Sequence, residues 1–224
     1  MQIGIIGAGR IGGGIARQLG GAGHELKLSY SRDQARLEEF ARQLGPKAST
    51  GAPAEAAAFG AVILISVPWS VLPDALDQAG SLAGKIVLDT TNQYGAPPLP
   101  ARGETAAHFN AARMPGARYT KSFNTLTSAF QAEAAGRQGD ERVVQWLCGD
   151  DAEAKQIVAG LIEDAGFVSV DLGGTAECSV MEAPRREGAV YGEEYRAADA
   201  PSVVEAVRAG RAIPQTPRYS AAAS

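Results

Sequence analysis

The chain has 224 residues, 45% of them hydrophobic and 21% charged, which is ordinary for a folded globular protein and leaves little room for extended disorder. Its formal net charge is −4 with no block of like charges, so a nucleic-acid partner is not expected. The N-terminus runs straight into a strand pattern with no basic flank and no long apolar run. Neither a signal peptide nor a membrane span is therefore expected. Cys148 and Cys178 form no CxxC pair and suggest no metal; free thiols in a reducing cytoplasm are expected.

In chain order, short apolar runs alternate with amphipathic stretches. Strands are expected over Gln2–Ile6, Glu25–Tyr30, Lys47–Thr50, Ala61–Ser66 and Lys85–Asp89. Helices are expected between them, over Arg10–Gly20, Asp33–Leu44, Ala54–Phe59 and Trp69–Ala79. Val62–Ile65 and Ile86–Leu88 are apolar at every position, the pattern of a strand covered by helices on both faces. Strict alternation of this kind predicts an α/β fold: a Rossmann-type doubly wound, mainly parallel sheet. Asp33 is a fitting N-cap for the second helix, and Gly20, Gly21 and Gly23 can stop the first. The proline-rich stretch Asn92–Pro100 reads as a loop. Further strands are expected over Arg118–Phe123, Arg142–Leu147 and Phe167–Asp171, with a helix from Asp151 to about Asp164, so the sheet should extend through the second half. Residues 1–175 thus form the expected nucleotide-binding unit. Residues 176–224 read as an irregular tail with one short helix over Val203–Ala209, expected to cover the site or contact a second subunit.

Gly7-Ala8-Gly9-Arg10-Ile11-Gly12 follows the first strand and opens the first helix. With 27 glycines a lone GxGxxG match is weak, but this position is the one the dinucleotide motif requires. Gly7 permits a tight turn, Gly9 lets backbone approach a pyrophosphate, and Gly12 allows close helix–strand packing. An anion there meets the free N–H groups of a helix start. NAD-binding chains usually place a carboxylate at the end of the second strand. Here Ser29-Tyr30-Ser31-Arg32 has none before Asp33. Ser31 can hydrogen-bond a 2′-phosphate and Arg32 can pair with it through its forked guanidinium, so NADP is expected over NAD.

Two segments end strands at the carboxyl edge, where ligands bind in such sheets: Ser66-Val67-Pro68-Trp69 and Asp89-Thr90-Thr91-Asn92. Val67 and Pro68 can wall the nicotinamide, while Trp69 reads as core or rim. Thr90 and Asn92 can bond the cofactor, and Asn92 can equally stabilise its own turn. None of the six tyrosines has a lysine four residues on, so the Tyr-x-x-x-Lys acid of short-chain reductases is missing. His24 is expected at the surface and His108 on a solvated helix face. Lys121 can reach the pocket, and it can equally lie exposed or face a phosphate.

Several segments resemble the coenzyme F420:NADP oxidoreductases and their bacterial relatives. They are Ile3–Gly13, Ser31-Arg32, Ser66–Trp69, Lys121-Ser122-Phe123-Asn124-Thr125-Leu126, Gly149–Lys155, Ala165-Gly166-Phe167 and Val170–Gly173. Together they span roughly residues 1–175. The Phe-Asn-Thr segment is the most specific, and it also occurs in the cytosolic reductase domains of membrane ferric reductases. The resemblance implies an NADP-dependent oxidoreductase passing a hydride between NADPH and a deazaflavin (F420) or flavin. It implies that Gly9, Arg10 and Ile11 approach the pyrophosphate and that Ser31 and Arg32 hold the 2′-phosphate. Val67, Pro68, Phe123 and Asn124 would surround the nicotinamide. Phe123 and Asn124 are the candidate hydride-pocket residues, Phe123 shaping the ring pocket and Asn124 orienting a ring through its amide. Asn124 can alternatively cap the next helix. A cytoplasmic homodimer is expected.

Two other readings stand beside this one. The β-hydroxyacid and pyrroline-carboxylate reductase group, acting on small carbonyls or imines, resembles the N-terminus but carries a long all-helical second domain. An NADPH-sensing protein without catalysis would show the same cofactor site.

Overall fold

The computed structural model describes residues 1–95, 97–216 and Tyr219. Eight strands form a single sheet in the order β3-β2-β1-β4-β5-β6-β7-β8. They are β1 (Gln2–Ile6), β2 (Glu25–Ser29), β3 (Ala48–Thr50), β4 (Val62–Ile65), β5 (Ile86–Asp89), β6 (Arg118–Lys121), β7 (Val144–Gly149) and β8 (Val168–Gly173). The first six run parallel; β7 is antiparallel to β6, and β8 is parallel to β7. The helices are α1 (Arg10–Gly21), α2 (Gln34–Leu44), α3 (Pro53–Phe59), α4 (Leu72–Ala79), α5 (Ala106–Ala112), α6 (Ser128–Ala134), α7 (Ala152–Asp164) and α8 (Ala200–Arg208). This is the doubly wound α/β architecture the alternation predicts.

The all-apolar strands are explained by what covers them. Val62 and Leu64 face a cluster with Ile15, Leu19 and Val158 of α1 and α7, while Ile63 and Ile65 face Leu72, Ala75 and Val203 of α4 and α8. Each such side chain contributes about 1.5–3 kcal/mol on burial. Alternate residues of one strand therefore stabilise opposite layers.

Local chemistry sets the helix ends. The Asp33 carboxylate accepts from the Arg36 N–H, and Asp151 accepts from the Ala154 N–H. The expected helix over Trp69–Ala79 is split into a 3₁₀ turn at Trp69–Val71 followed by α4. Pro73 has no N–H to give the Trp69 carbonyl, and the Leu72 N–H takes that carbonyl instead.

The segment after Ala176 is not an irregular tail. A 3₁₀ turn at Glu177–Met181 and helix α8 bring Cys178, Met181, Val190, Tyr195 and Val203 into the core. Tyr195 meets Trp146 edge to face with ring centroids 5.2 Å apart. These apolar residues are irregularly spaced, so no periodicity announces them; each is buried singly by the path of the chain. Residues 217, 218 and 220–224 of the expected tail lie outside the described residues. Cys148 and Cys178 are free and buried against one another, and burial, then the neighbouring thiol, pushes Cys178 well up.

Candidate functional site

The glycine loop sits where three strand ends converge. The Gly7 N–H donates to the Ser29 carbonyl at 3.0 Å, and the Ser66 N–H donates to the Ile6 carbonyl at 2.9 Å. Gly7 has φ +99°, and a Cβ there would stand 2.4 Å from the Ser66 carbonyl oxygen. A Cβ on Gly12 would stand 2.1 Å from the Gly7 oxygen. These two glycines are steric requirements of the turn. Gly9 differs: a Cβ there would meet no protein atom within 4 Å. It is the N-cap of α1, with no side-chain cap and no acidic residue in the first turn. The first N–H groups of α1, including those of Arg10 and Ile11, thus face an open cradle with positive dipole character. That fits a pyrophosphate.

The second strand supplies the other end of the site. Ser31 and Arg32 are exposed just past β2. The Ser31 hydroxyl is occupied in a tight turn, accepting from the Asp33 N–H at 3.1 Å and donating to the Asp33 carbonyl at 2.9 Å. Arg10, Arg32 and Arg36 are exposed and make no ion pair among the described residues. Most other arginines among the described residues are paired or stacked. Arg36, in the first turn of α2, escaped the sequence reading. Its signal is a second arginine in the first turn of the helix that follows Arg32.

Tyr30 closes this end. Its backbone is left-handed, with φ 57°, and its hydroxyl donates to Asp74 at 2.7 Å in α4. Burial, then the Asp74 carboxylate, pushes its phenol up to about 12. The residue thus ties the end of β2 to α4.

At the other end, Val67 is buried against Gly7 and Pro68 is exposed beside it. Trp69 is core, as expected; its indole N–H donates to the Pro98 carbonyl at 2.8 Å and its ring stacks on Phe109. Thr90 Oγ1 donates within the protein, to the Ile65 carbonyl at 3.2 Å and Ser66 Oγ at 3.0 Å. Asn92 and Asn124 clasp one another. Asn92 Nδ2 donates to the Asn124 carbonyl at 2.7 Å, and Asn124 Nδ2 donates to Asn92 Oδ1 at 3.1 Å. The clasp also holds the C-terminal segment, because Asn124 Nδ2 donates to the Met181 carbonyl and the Ala183 N–H donates to Asn92 Oδ1. Asn92 therefore stabilises the loop after β6 and not its own turn. Asn124 does not cap α6; Thr127 does, accepting from the Phe130 N–H. The buried Asn124 Oδ1 has no hydrogen-bond partner among the described residues.

Three expectations need correction. The Phe123 ring does not shape a pocket. It is 1% exposed and packs edge-on against Phe167, because φ 57° at this residue turns the ring into the core beneath α7. Lys121 is neither pocket-lining nor exposed. It is fully buried, donating to the Thr91 carbonyl at 2.6 Å beside Asp89. His24 is buried rather than at the surface, with Nε2 3.0 Å from Asp164 Oδ2 at the end of α7. His108 is exposed on α5, as expected.

Residues 2–93 match the model of the family described as NADP oxidoreductase, coenzyme F420-dependent. They include the glycine loop, Ser31-Arg32, Val67-Pro68 and Asn92. Beyond them, the chain is similar to the metalloreductase STEAP3 of Rattus norvegicus, 30% identical over 182 residues, or 81% of this chain and 36% of that protein. The chain thus spans about a third of the length of that curated relative. A solved structure of a hypothetical protein of Sinorhizobium meliloti is 28% identical with a TM-score of 0.76, covering 88% of this chain and 95% of that one. A provisionally assigned F420-dependent NADP-reductase of Arthrobacter sp. FB24 is 26% identical with a TM-score of 0.67, covering 80% of this chain and 87% of that one. Among the described residues, no group of three or more His, Cys, Asp or Glu is placed to hold a metal, and no helix is long and apolar enough to cross a membrane.

Proposed function

We propose that the chain transfers a hydride from NADPH to a planar conjugated acceptor, a deazaflavin or a flavin. The observation that carries the cofactor assignment is the uncapped, glycine-lined start of α1 together with the unpaired Arg10, Arg32 and Arg36. The α1 N–H groups would hold the pyrophosphate. Arg32 and Arg36 would hold the 2′-phosphate, with Ser31 turning its hydroxyl to the same group. Val67 and Pro68 would bound the nicotinamide, and the orphaned Asn124 Oδ1 offers an acceptor for its carboxamide N–H. When bound, NADPH supplies the hydride; the chain's task is to hold donor and acceptor carbons close and to exclude water.

The acceptor assignment draws support from the family and from the similar Arthrobacter structure, whose description names F420. The rim of the site agrees with it. Besides Met1, the large hydrophobic side chains most exposed among the described residues are Tyr94 and Leu99, both in the loop after β5 at the carboxyl edge. A flat ring suits such a rim better than a small polar carbonyl does. Single-turnover NADPH oxidation against excess deazaflavin, flavin and small carbonyl or imine compounds tests the reading. Turnover with the ring acceptors is expected. Turnover confined to carbonyls or imines, or with no acceptor at all, overturns it.

A further inference from the structure

Tyr94 and Tyr191, 97 residues apart in sequence, meet hydroxyl to hydroxyl. Their place in the fold is at the mouth of the site. Tyr94 lies two residues past Asn92. Tyr191 precedes Gly192, whose N–H donates to the Thr125 carbonyl at 2.8 Å, next to Asn124. The Asn92–Asn124 clasp ties those two anchor points together across the carboxyl ends of β5 and β6. The loop that carries Tyr94 then returns to the end of β4 through the Trp69–Pro98 hydrogen bond. The phenol pair therefore stands over the carboxyl ends of β5 and β6 on the side away from the glycine loop, the side on which the reading above puts the nicotinamide.

Two phenols carry two hydrogens, and one hydrogen bond between them uses one. Neither hydroxyl has another partner among the described residues. One O–H is left over at the mouth of the site. Tyr94 is 68% exposed, so it is open to solvent and to an incoming ligand. Tyr191 is half-buried, and burial followed by the Tyr94 contact pushes its phenol well up, so it stays protonated. Either hydroxyl can donate within the pair, and when Tyr191 does, the outer Tyr94 O–H is the one left over.

We propose that Tyr94, with Tyr191 bonded behind it, is the hydrogen-bond donor to the hydride acceptor, at the ring nitrogen or carbonyl oxygen that becomes negative on reduction. The proposal rests on the hydride-transfer reading above. In the step, a C–H bond to the nicotinamide breaks and a C–H bond on the acceptor forms, the hydride carrying both electrons. The acceptor gains one negative charge, and the Tyr94 O–H meets it. Tyr191 donates to Tyr94 and so strengthens Tyr94 as a donor. The proton that finally neutralises the reduced acceptor comes from solvent, which reaches the exposed Tyr94. This arrangement supplies a donor that no Tyr-x-x-x-Lys spacing could announce, because its two halves come from distant segments.

The test compares Tyr94→Phe with Tyr191→Phe in the full chain, using a soluble 5-deazaflavin as probe. Circular dichroism and thermal melting establish that both variants fold. A pair that merely pins two segments loses the same contact in either variant, so the two should then behave alike. A donor role breaks that symmetry. Tyr94→Phe is expected to slow single-turnover NADPH oxidation on the order of a hundredfold, the scale of removing one preorganised donor to a developing anion. It should also abolish any solvent deuterium isotope effect on that step. Tyr191→Phe keeps the outer O–H and should slow it about tenfold or less. NADPH affinity should not change in either variant. Binding of oxidised deazaflavin alone, followed by its fluorescence, should weaken severalfold in Tyr94→Phe and less in Tyr191→Phe. Equal effects in the two variants, or a wild-type rate in Tyr94→Phe, overturn this proposal while leaving the hydride-transfer reading in place. A wild-type chain inert toward deazaflavin and flavin alike removes the reading and this proposal with it.

Discussion

Asp89 and Lys121 are register partners on the adjacent strands β5 and β6, with Lys121 Nζ 3.6 Å from Asp89 Oδ2 and neither side chain exposed at all. Asp89 also accepts from Tyr119 Oη at 2.6 Å, Asn110 Nδ2 at 2.9 Å and the Thr91 N–H at 2.7 Å. Lys121 spends a hydrogen bond on the Thr91 carbonyl. The two bonds to Thr91 tie this network to the loop that presents Asn92. Burial, then the Asp89 charge, pushes the Tyr119 phenol well up, so it stays a donor. The network fixes the carboxyl edge of the sheet from beneath.

Removing one partner of such a pair leaves the other charge buried without compensation. Asp89→Ala should therefore cost about 3–5 kcal/mol, whereas Asp89→Leu combined with Lys121→Met should recover much of that. Urea unfolding of the single and double variants measures the difference. A single variant as stable as wild type would show that the pair contributes nothing.

The 2′-phosphate assignment predicts a selective loss. Charge-assisted hydrogen bonds contribute roughly 1.5–3 kcal/mol, so Arg32→Ala should weaken NADPH binding about tenfold or more and leave NADH binding nearly unchanged. Arg36→Ala should act in the same direction, and neither should alter stability, since both arginines are exposed and unpaired. Calorimetric titration with both nucleotides decides it; equal loss for NADPH and NADH would place the arginines elsewhere.

Gly9 and Gly12 separate binding from folding. Gly9 has φ −73°, which alanine adopts freely, and open space beyond it. Gly9→Ala should fold with wild-type stability yet bind NADPH much more weakly, because its methyl group fills the cradle. In Gly12→Ala the methyl group would press on the Gly7 carbonyl oxygen, 2.1 Å away, so stability itself should fall. Thermal melting alongside nucleotide titration distinguishes the two. A Gly9→Ala chain with unimpaired NADPH affinity would argue against a phosphate at this helix start.

One pH effect follows from Asp151, which takes Arg118 in a two-pronged contact at 2.6 and 2.7 Å and caps α7. The Arg118 guanidinium, then the Ala154 N–H, hold its carboxyl well below the ordinary value of 3.8. A depressed folded-state value means the contribution is complete above the unfolded value and fades as pH falls below it toward the folded one. Wild type should thus lose stability over about pH 5 to 2 more steeply than Asp151→Asn, which has no such proton to take up. Parallel slopes would mean that Asp151 is not linked to folding.

Much of the nucleotide half is legible in the residues. Val62–Ile65 is apolar at each position because both sheet faces are covered, and Gly7, Gly9 and Gly12 fall where strand hands over to helix. Asp33 and Asp151 mark helix starts because a short carboxylate reaches its own helix N–H groups. The missing carboxylate after β2 is likewise a local fact.

The acceptor side is another matter. The Phe123 ring turns inward because its left-handed backbone conformation carries it under α7, and a left-handed phenylalanine leaves no mark in composition. Lys121 reads as a surface or pocket residue until Asp89, Asn110 and Tyr119 close around it. His24 reads as a loop histidine until Asp164 arrives beside it.

What the sequence alone determined is everything governed by neighbours a few residues apart: the strand and helix periods, the caps, the glycine turn and the sign of charge after β2. Covalent geometry fixes those spacings, so residue order is enough to read them. Only the tertiary structure decided which distant side chains meet, as Tyr94 meets Tyr191 and Asn92 meets Asn124. Such pairings depend on the paths of long loops over the sheet edge, and a path of that kind has no local repeat from which it can be read.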